Sequence, residues 1–258
     1  MRKTLLGLLG FALVVAVAAP GAAFAAPTVT VKAKIVSIKG FPGTGNKLGA
    51  GAAIESQVTI SGTEYGGFPP PLIGVNVFLP KGTVLHPSGF PTCPVSTLEP
   101  TGPGPKSCPK GSQAGPVGVV HGEVAFGTKI VPETATLESF YAPGGGLEFF
   151  TFGHEPTILE VISTAHYVNA SGIYSHELIA EVPLVETVPG AQDASVTSIS
   201  VRVGSAIKKG GKTIYYGRVP KTCPKGGFPG KAELTFAGLG GLTETTVTKL
   251  VKVPCPPK

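Results

Sequence analysis

Apolar and polar residues alternate with a period of two along about a dozen segments of this chain, and no other feature constrains its fold as much. Two clear examples are TVTVKAKIVSIK at residues 28–39 and SVTSISVRV at residues 195–203. Alternation of this kind is typical of strands with one buried face, and their many β-branched residues favour strands as well. The other alternating runs begin at Ile54, Ile73, Val120, Thr134, Leu147, Thr157, Tyr174, Lys212, Lys231 and Thr245.

Glycine and proline separate these runs. The chain contains 37 Gly and 26 Pro, and they cluster between the alternating segments, as turn residues do between strands. The run at residues 157–167 also fits helical spacing, but its β-branched content favours a strand. We therefore predict an all-β fold, an antiparallel β-sandwich or jelly-roll type. Two packed lobes would divide it into residues 26–130, with a long stapled loop, and a C-terminal β-sandwich lobe at residues 131–258.

The N-terminus has the order of a secretory signal peptide. Arg2 and Lys3 precede an uncharged apolar run at residues 5–19, and small residues follow at Ala23 and Ala25. We predict cleavage after Ala25, so that residues 1–25 are removed. The alternative is a retained anchor, although the apolar run is shorter than the roughly 20 residues that a membrane span needs. We expect a secreted protein with no transmembrane segment after cleavage.

The chain has four cysteines: Cys93, Cys108, Cys223 and Cys255. An even number in an exported protein indicates disulfides. Three pairings are possible, and we predict Cys93–Cys108 with Cys223–Cys255 because these partners are closest in sequence. A structural zinc site would need closely spaced pairs such as Cys-x-x-Cys, which the sequence lacks. We predict no metal site and no cofactor.

Several strings in the mature chain are distinctive, among them FPGTGNKLGAGAA, EYGGFPPPLIGVNVFLPKGTVLHPSGFPTC, PGGGLEFF and CPKGGFPGKAELTFAGLGG. With these strings, nearly the whole mature chain resembles secreted β-rich proteins of soil actinobacteria, a group with no known activity. The resemblance implies an extracellular location. It assigns no functional residue.

The common catalytic motifs do not occur in the sequence. There is no G-x-S-x-G nucleophile motif, and Asp193 is the only aspartate available to orient a histidine. Pro156 follows His154-Glu155 and would end the helix that a zinc-protease motif requires. We therefore predict no catalytic residues and, as the function, a secreted or cell-envelope-associated non-enzymatic β module with a binding or structural role.

The alternative function is a secreted, glycosidase-like hydrolase. Such enzymes use two carboxylates about 5 to 9 Å apart, and the candidates are Glu148, Glu155 and Glu160. Glu148 alternates with apolar neighbours in its predicted strand, so we expect it on the solvent face. Ordinary surface carboxylates would give the same pattern.

Charge is distributed unevenly along the chain. Residues 133–193 contain nine acidic and no basic residues, whereas residues 202–258 contain eleven basic and two acidic ones. The KKGGK string at residues 208–212 predicts a hairpin tip. We predict weak binding of an anionic cell-envelope polymer, and no nucleic acid, because aromatic residues do not interleave with the basic ones. Alternatively, the tip only protects strand edges from pairing with other chains, or the acidic and basic segments pack together and their charges cancel. The candidate anion-binding residues are Lys208, Lys209, Lys212, Lys221 and Lys225.

Overall fold

The computed structural model describes residues 26–187 and 189–256. The predicted signal peptide lies outside these described residues. In the part of the chain that the structure describes, no helix is long and apolar enough to cross a membrane.

The protein is nearly all β, as the alternation predicted. Most of the alternating runs form long strands, and two runs match their strands to the residue, at Ser195–Val203 and Thr245–Val253. The only helical elements in the described ranges are a four-residue helix, α1 (Val95–Leu98), and a 3-10 turn at Pro105–Ser107. The strands are β1 (Thr28–Val36), β2 (Ala53–Ser61), β3 (Leu72–Pro80), β4 (Val84–Leu85), β5 (Gly118–Phe126), β6 (Lys129–Tyr141), β7 (Leu147–Gly153), β8 (Leu159–Asn169), β9 (Tyr174–Glu181), β10 (Ser195–Val203), β11 (Ala206–Lys209), β12 (Lys212–Tyr215), β13 (Gly217–Arg218), β14 (Phe228–Phe236) and β15 (Thr245–Val253).

Eleven of the strands form one antiparallel sheet in the order β1-β2-β10-β5-β6-β7-β8-β9-β3-β14-β15. Strand β10 lies between β2 and β5, and β3 lies between β9 and β14. Early and late parts of the chain therefore contribute strands to the same sheet. The division considered between residues 130 and 131 falls within β6, which pairs with β5 across the turn at Gly127.

The sheet curls so that its two edges approach each other. Cα atoms of β1 lie within 8 Å of Cα atoms of β15, although no hydrogen-bonded ladder joins these strands in the described residues. Inward side chains from the two flanks meet, including Val29 and Ile60 from one side and Leu234 and Phe236 from the other. The curled sheet is thus sandwich-like, with a shared interior between facing strands.

Both predicted disulfides are confirmed. The Cα atoms of Cys93 and Cys108 lie 5.2 Å apart, and those of Cys223 and Cys255 lie 6.2 Å apart, within the usual range for disulfides. Cys93 is fully buried and packs with Leu98. The cross-linked loop at residues 81–116 thereby covers part of the outer face of β6 and β7.

The predicted strand at residues 212–219 is divided in two, because the chain changes its partner there. Strand β12 pairs with β11 in a hairpin, whereas Gly217 and Arg218 pair with β4. The hairpin tip is confirmed: Lys209 pairs with Lys212, and Gly210 and Gly211 both have positive φ, as a two-residue type I′ turn requires.

Candidate ligand-binding cavity

The interior of the curled sheet contains a cavity of about 350 Å³, a size typical of small-molecule sites. Alternation turns every second side chain of each long strand toward it. Many of these inward side chains are aliphatic yet only half-buried, because they border empty space. Examples from six different strands are Val31, Ile54, Val75, Val161, Val201 and Val251.

Small residues at inward positions leave this space open. Ser56 on β2, Ser163 on β8, Ala180 on β9 and Ala232 on β14 all line the cavity. Protein interiors are normally close-packed, and larger aliphatic residues at these positions would fill the gap. The cavity is therefore encoded in the choice of side chains.

Aromatic residues close one end of the cavity, which we call the tyrosine end. It is formed by Phe90, Tyr141, Tyr167 and Tyr216, with Tyr141 and Tyr216 stacked at 4.2 Å between ring centroids. The Tyr216 hydroxyl donates to the carbonyl of Gly145 at 3.2 Å. Burial raises the pKa of the three tyrosine hydroxyls above the ordinary value. They stay neutral, so this end presents rings rather than charge.

The opposite end, which we call the proline end, is closed by the Pro69–Pro71 segment. Pro69 and Pro71 are fully buried, and Pro71 lines the cavity. The hydroxyl of Ser195 at the start of β10 lies 2.5 Å from the Pro69 carbonyl oxygen and 3.2 Å from that of Pro70. Because these prolines are buried, their backbone carbonyls need hydrogen-bond donors. The contact fixes the segment across the cavity.

Glu133 lies on the inner face near the proline end. It pairs across the ladder with Gly122 on β5, lines the cavity and is 3% exposed. Neither carboxylate oxygen has a hydrogen-bond partner among the described residues. Burial raises the pKa of the Glu133 carboxyl, and the nearby backbone amides of Thr157 and Thr134 oppose this shift, although neither makes a hydrogen bond of normal geometry to it.

Sequence reasoning missed Glu133. The sequence did contain an indication, because Glu133 lies two and four residues before Ala135 and Leu137 and is therefore on the same face of β6. Both of these residues line the cavity. A charged residue on the apolar face of an alternating strand is costly unless it is paired. A charged residue at such a position is therefore a candidate functional residue.

The expectation that Glu148 faces solvent was wrong. Glu148 does lie on the outer face of β7, opposite Phe140, but it is only 7% exposed. The cross-linked loop covers this face, and its Leu98 packs against Phe140 and Phe150 beside the carboxyl. Burial raises the pKa of Glu148 to about 7. Alternation predicts the face on which a residue lies, but not whether a distant loop covers that face.

The three glutamates considered for hydrolysis lie on two neighbouring strands and in the turn between them. Glu148 pairs with Thr164 on β8, and Glu160 lies four residues before Thr164 on the same strand. Their backbones are thus about 13 Å apart along the strand. Glu155 lies exposed in the turn between β7 and β8. The backbones of Glu148 and Glu160 are therefore farther apart than the roughly 5 to 9 Å that separate the paired carboxyl groups of a glycosidase.

The five candidate lysines are all exposed. Three lie at the β11–β12 hairpin tip, and Lys221 and Lys225 lie in the loop between β13 and β14. Within the described ranges, no ion pair joins the acidic segment 133–193 to the basic segment 202–258. The ion pairs there are Lys34–Glu55, Arg202–Glu55 and Lys231–Glu233.

Residues 26–187 and 189–256 contain no group of three or more His, Cys, Asp or Glu side chains placed to hold a metal ion. No family model, curated protein or solved structure matches the chain. The cavity, its lining and the surface charges are therefore the features of the protein that indicate a function.

Proposed function

We propose that this protein is a secreted, non-enzymatic β protein that binds an apolar small molecule in its interior cavity. The observation that carries the proposal is the half-buried aliphatic lining around about 350 Å³ of empty space. Covering apolar surface contributes roughly 25 cal/mol per Å². A hydrocarbon in the cavity would gain this contribution, whereas a polar molecule would lose its hydration without compensation.

The nature of the lining supports binding rather than hydrolysis. Most cavity-lining side chains are aliphatic, and Glu148 and Glu160 lie on the outer face of the sheet. Extracellular location is supported by the N-terminal sequence and by the two disulfides. Such a protein would carry or retain an apolar compound outside the cell.

The exposed lysines support a second feature of the same function. We infer that Lys208, Lys209 and Lys212, with Lys221 and Lys225, give weak attachment to an anionic polymer of the cell envelope. Their hairpin tip lies in a segment whose basic residues do not form ion pairs with the acidic segment in the described structure. Attachment of this kind would keep the carrier near the cell.

The cavity can be tested with a series of straight-chain alcohols of increasing length, measured by titration calorimetry and by the shift in melting temperature. Each added methylene should increase affinity about fourfold, since burying one contributes about 0.8 kcal/mol. The increase should stop when the chain fills the cavity. Bound ligand should raise the melting temperature by mass action.

A pair of variants, one of which fills the cavity with a side chain, provides the control for this binding experiment. Ser56→Phe places a ring inside the cavity, whereas Gln57→Phe places the same ring on the exposed outer face of the same strand. We expect Ser56→Phe to abolish binding and Gln57→Phe to leave it unchanged, with both variants folded by circular dichroism. Absence of binding in the natural protein, or equal binding by both variants, would reject the proposed function.

A further inference from the structure

The polar group least explained by the fold is Glu133. Its two carboxylate oxygens are buried and without hydrogen-bond partners in the described residues, and the side chain lines the apolar cavity. Glu123 also borders the cavity, but it alternates with the inward residues Gly122 and Val124 and so projects to the other face. Glu133 is therefore the carboxylate that the strands of the large sheet direct into the interior.

An unpaired buried carboxylate lowers stability, because it loses its hydration and gains no hydrogen bond of normal geometry in return. An apolar residue would suit the position better if packing were its only role. Natural proteins retain such costly groups where function requires them. The missing partner is supplied if the ligand itself carries a hydrogen-bond donor.

A glycine on the neighbouring strand leaves room for this side chain. Gly122 lies directly opposite Glu133 on β5, and Gly153 lies beside it on β7. A Cβ atom on Gly153 would lie 2.5 Å from Oε1 of Glu133, so only glycine leaves the carboxylate its present position. Because Gly153 has no Cβ, the carboxylate lies over this end of β7, where it lines the cavity.

We propose that Glu133 binds the polar end of the ligand, and that the ligand is a hydrocarbon with a terminal hydrogen-bond donor, either a hydroxyl or an ammonium group. This inference rests on the proposed function. The donor would lie near the proline end, and the hydrocarbon would extend along the aliphatic lining toward the tyrosine end. An anionic head group would be repelled by the carboxylate.

A purely structural role predicts different behaviour. In that case Glu133 would hold the β7–β8 turn through the backbone amide of Thr157, which lies near the carboxylate. Replacing it would then destabilise the protein and lower the affinity for every ligand alike. A ligand-binding role predicts an unchanged or increased free energy of unfolding, with a loss of affinity only for ligands that carry a donor.

The test compares decanol with its methyl ether, which has the same chain but no donor, and with decylammonium and decanoate. Titration calorimetry measures each with the full mature chain, with Glu133→Leu, with Glu133→Gln and with the control Glu123→Gln. The natural protein should prefer decanol over the ether by about 10- to 100-fold, as expected for a hydrogen bond to a charged group. Glu133→Leu should bind both equally.

The two donor-bearing ligands distinguish the possible head groups. If decylammonium binds more tightly than decanol, the natural ligand is a cationic amphiphile. If decanol binds more tightly, the natural ligand is an alcohol. Glu133→Gln should retain part of the preference for decanol over the ether, but lose any preference for decylammonium over the ether. Glu123→Gln should change neither preference. The inference is overturned if the natural protein does not discriminate between decanol and the ether, or if Glu133→Leu keeps the preference. If none of the four ligands binds, the proposed function fails as well.

Discussion

Tyr141 and Ser205 connect the inner face of the large sheet to the segment that closes the tyrosine end. The Tyr141 hydroxyl oxygen lies 2.7 Å from the Ser205 hydroxyl oxygen and accepts the backbone N–H of Ser205 at 3.1 Å. Tyr141 is almost fully buried and stacks on Tyr216. One side chain thus holds both the backbone between β10 and β11 and the aromatic closure of the cavity.

Tyr141→Phe should lower the free energy of unfolding by about 1–3 kcal/mol, because the Ser205 amide loses its partner in a buried environment. Chemical denaturation of the variant and the natural protein measures the difference. Tyr174→Phe is the matched control, since Tyr174 is half-buried and contacts Phe78 through its ring. An equal cost in the two variants would show that the Tyr141 hydroxyl has no special role.

Glu148 should make the stability depend on pH. Burial raises its pKa in the folded protein to about 7 from an ordinary value of 4.5, so the folded state binds more protons than the unfolded state between these values. The free energy of unfolding should therefore fall as the pH rises through this window, by at most about 1.4 kcal/mol per pH unit.

Denaturation at pH 5, 6, 7 and 8 tests this prediction, with Glu148→Gln as the variant. The amide keeps the shape of the side chain but does not titrate, so the slope should become shallower. Part of the slope should remain, because the pKa of the Glu133 carboxyl is raised by burial as well. An unchanged slope in Glu148→Gln would mean that Glu148 is solvated in solution.

The two disulfides should contribute unequally to stability. Loop length alone favours Cys223–Cys255, whose partners are 32 residues apart, over Cys93–Cys108, which are 15 apart. The chain-entropy difference is below about 1 kcal/mol. Cys93, however, is fully buried in an apolar cluster, whereas Cys223 is exposed.

We therefore expect the double variant Cys93→Ala, Cys108→Ala to lose more stability than Cys223→Ala, Cys255→Ala. The first should lose about 3 kcal/mol from the cross-link and more from the loosened loop over Phe140 and Phe150. Thermal melting of both double variants gives the order. The reverse order would indicate that loop closure, and not packing, governs their effects.

The lysines at the hairpin tip should mediate salt-sensitive adhesion. Replacing Lys208, Lys209 and Lys212 by Gln should weaken binding to purified anionic cell-wall polymer with little effect on folding, since substitutions at exposed tips usually change stability by less than about 0.5 kcal/mol. Binding should also decrease as salt increases, because charges are screened beyond about 8 Å at physiological ionic strength. Sedimentation with the polymer measures both effects.

The control variant removes the same charge elsewhere, at the exposed residues Lys106, Lys110 and Lys129. If both triple variants lose binding equally, net charge rather than the hairpin tip is responsible. If neither loses binding, the adhesion proposal is rejected, and the tip serves only to protect strand edges.

The sequence alone determined most of the local structure. Alternation predicted the strands because the side chains of a strand point to opposite faces in turn. The Gly210-Gly211 turn was predictable because two residues with positive φ favour glycine. The disulfide pairing followed from proximity along the chain. These features depend on neighbours in sequence, so the sequence of this one chain was enough to predict them.

Only the tertiary structure decided which faces are covered and what they enclose. Glu148 was expected on a solvent face, but a loop more than 30 residues earlier in the chain covers it. Glu133 was not predicted as a site residue, because only the curl of eleven strands encloses its face. The order of the strands, the cavity and the unpaired carboxylate all depend on contacts between residues far apart in sequence, and alternation within one strand carries no information about those contacts.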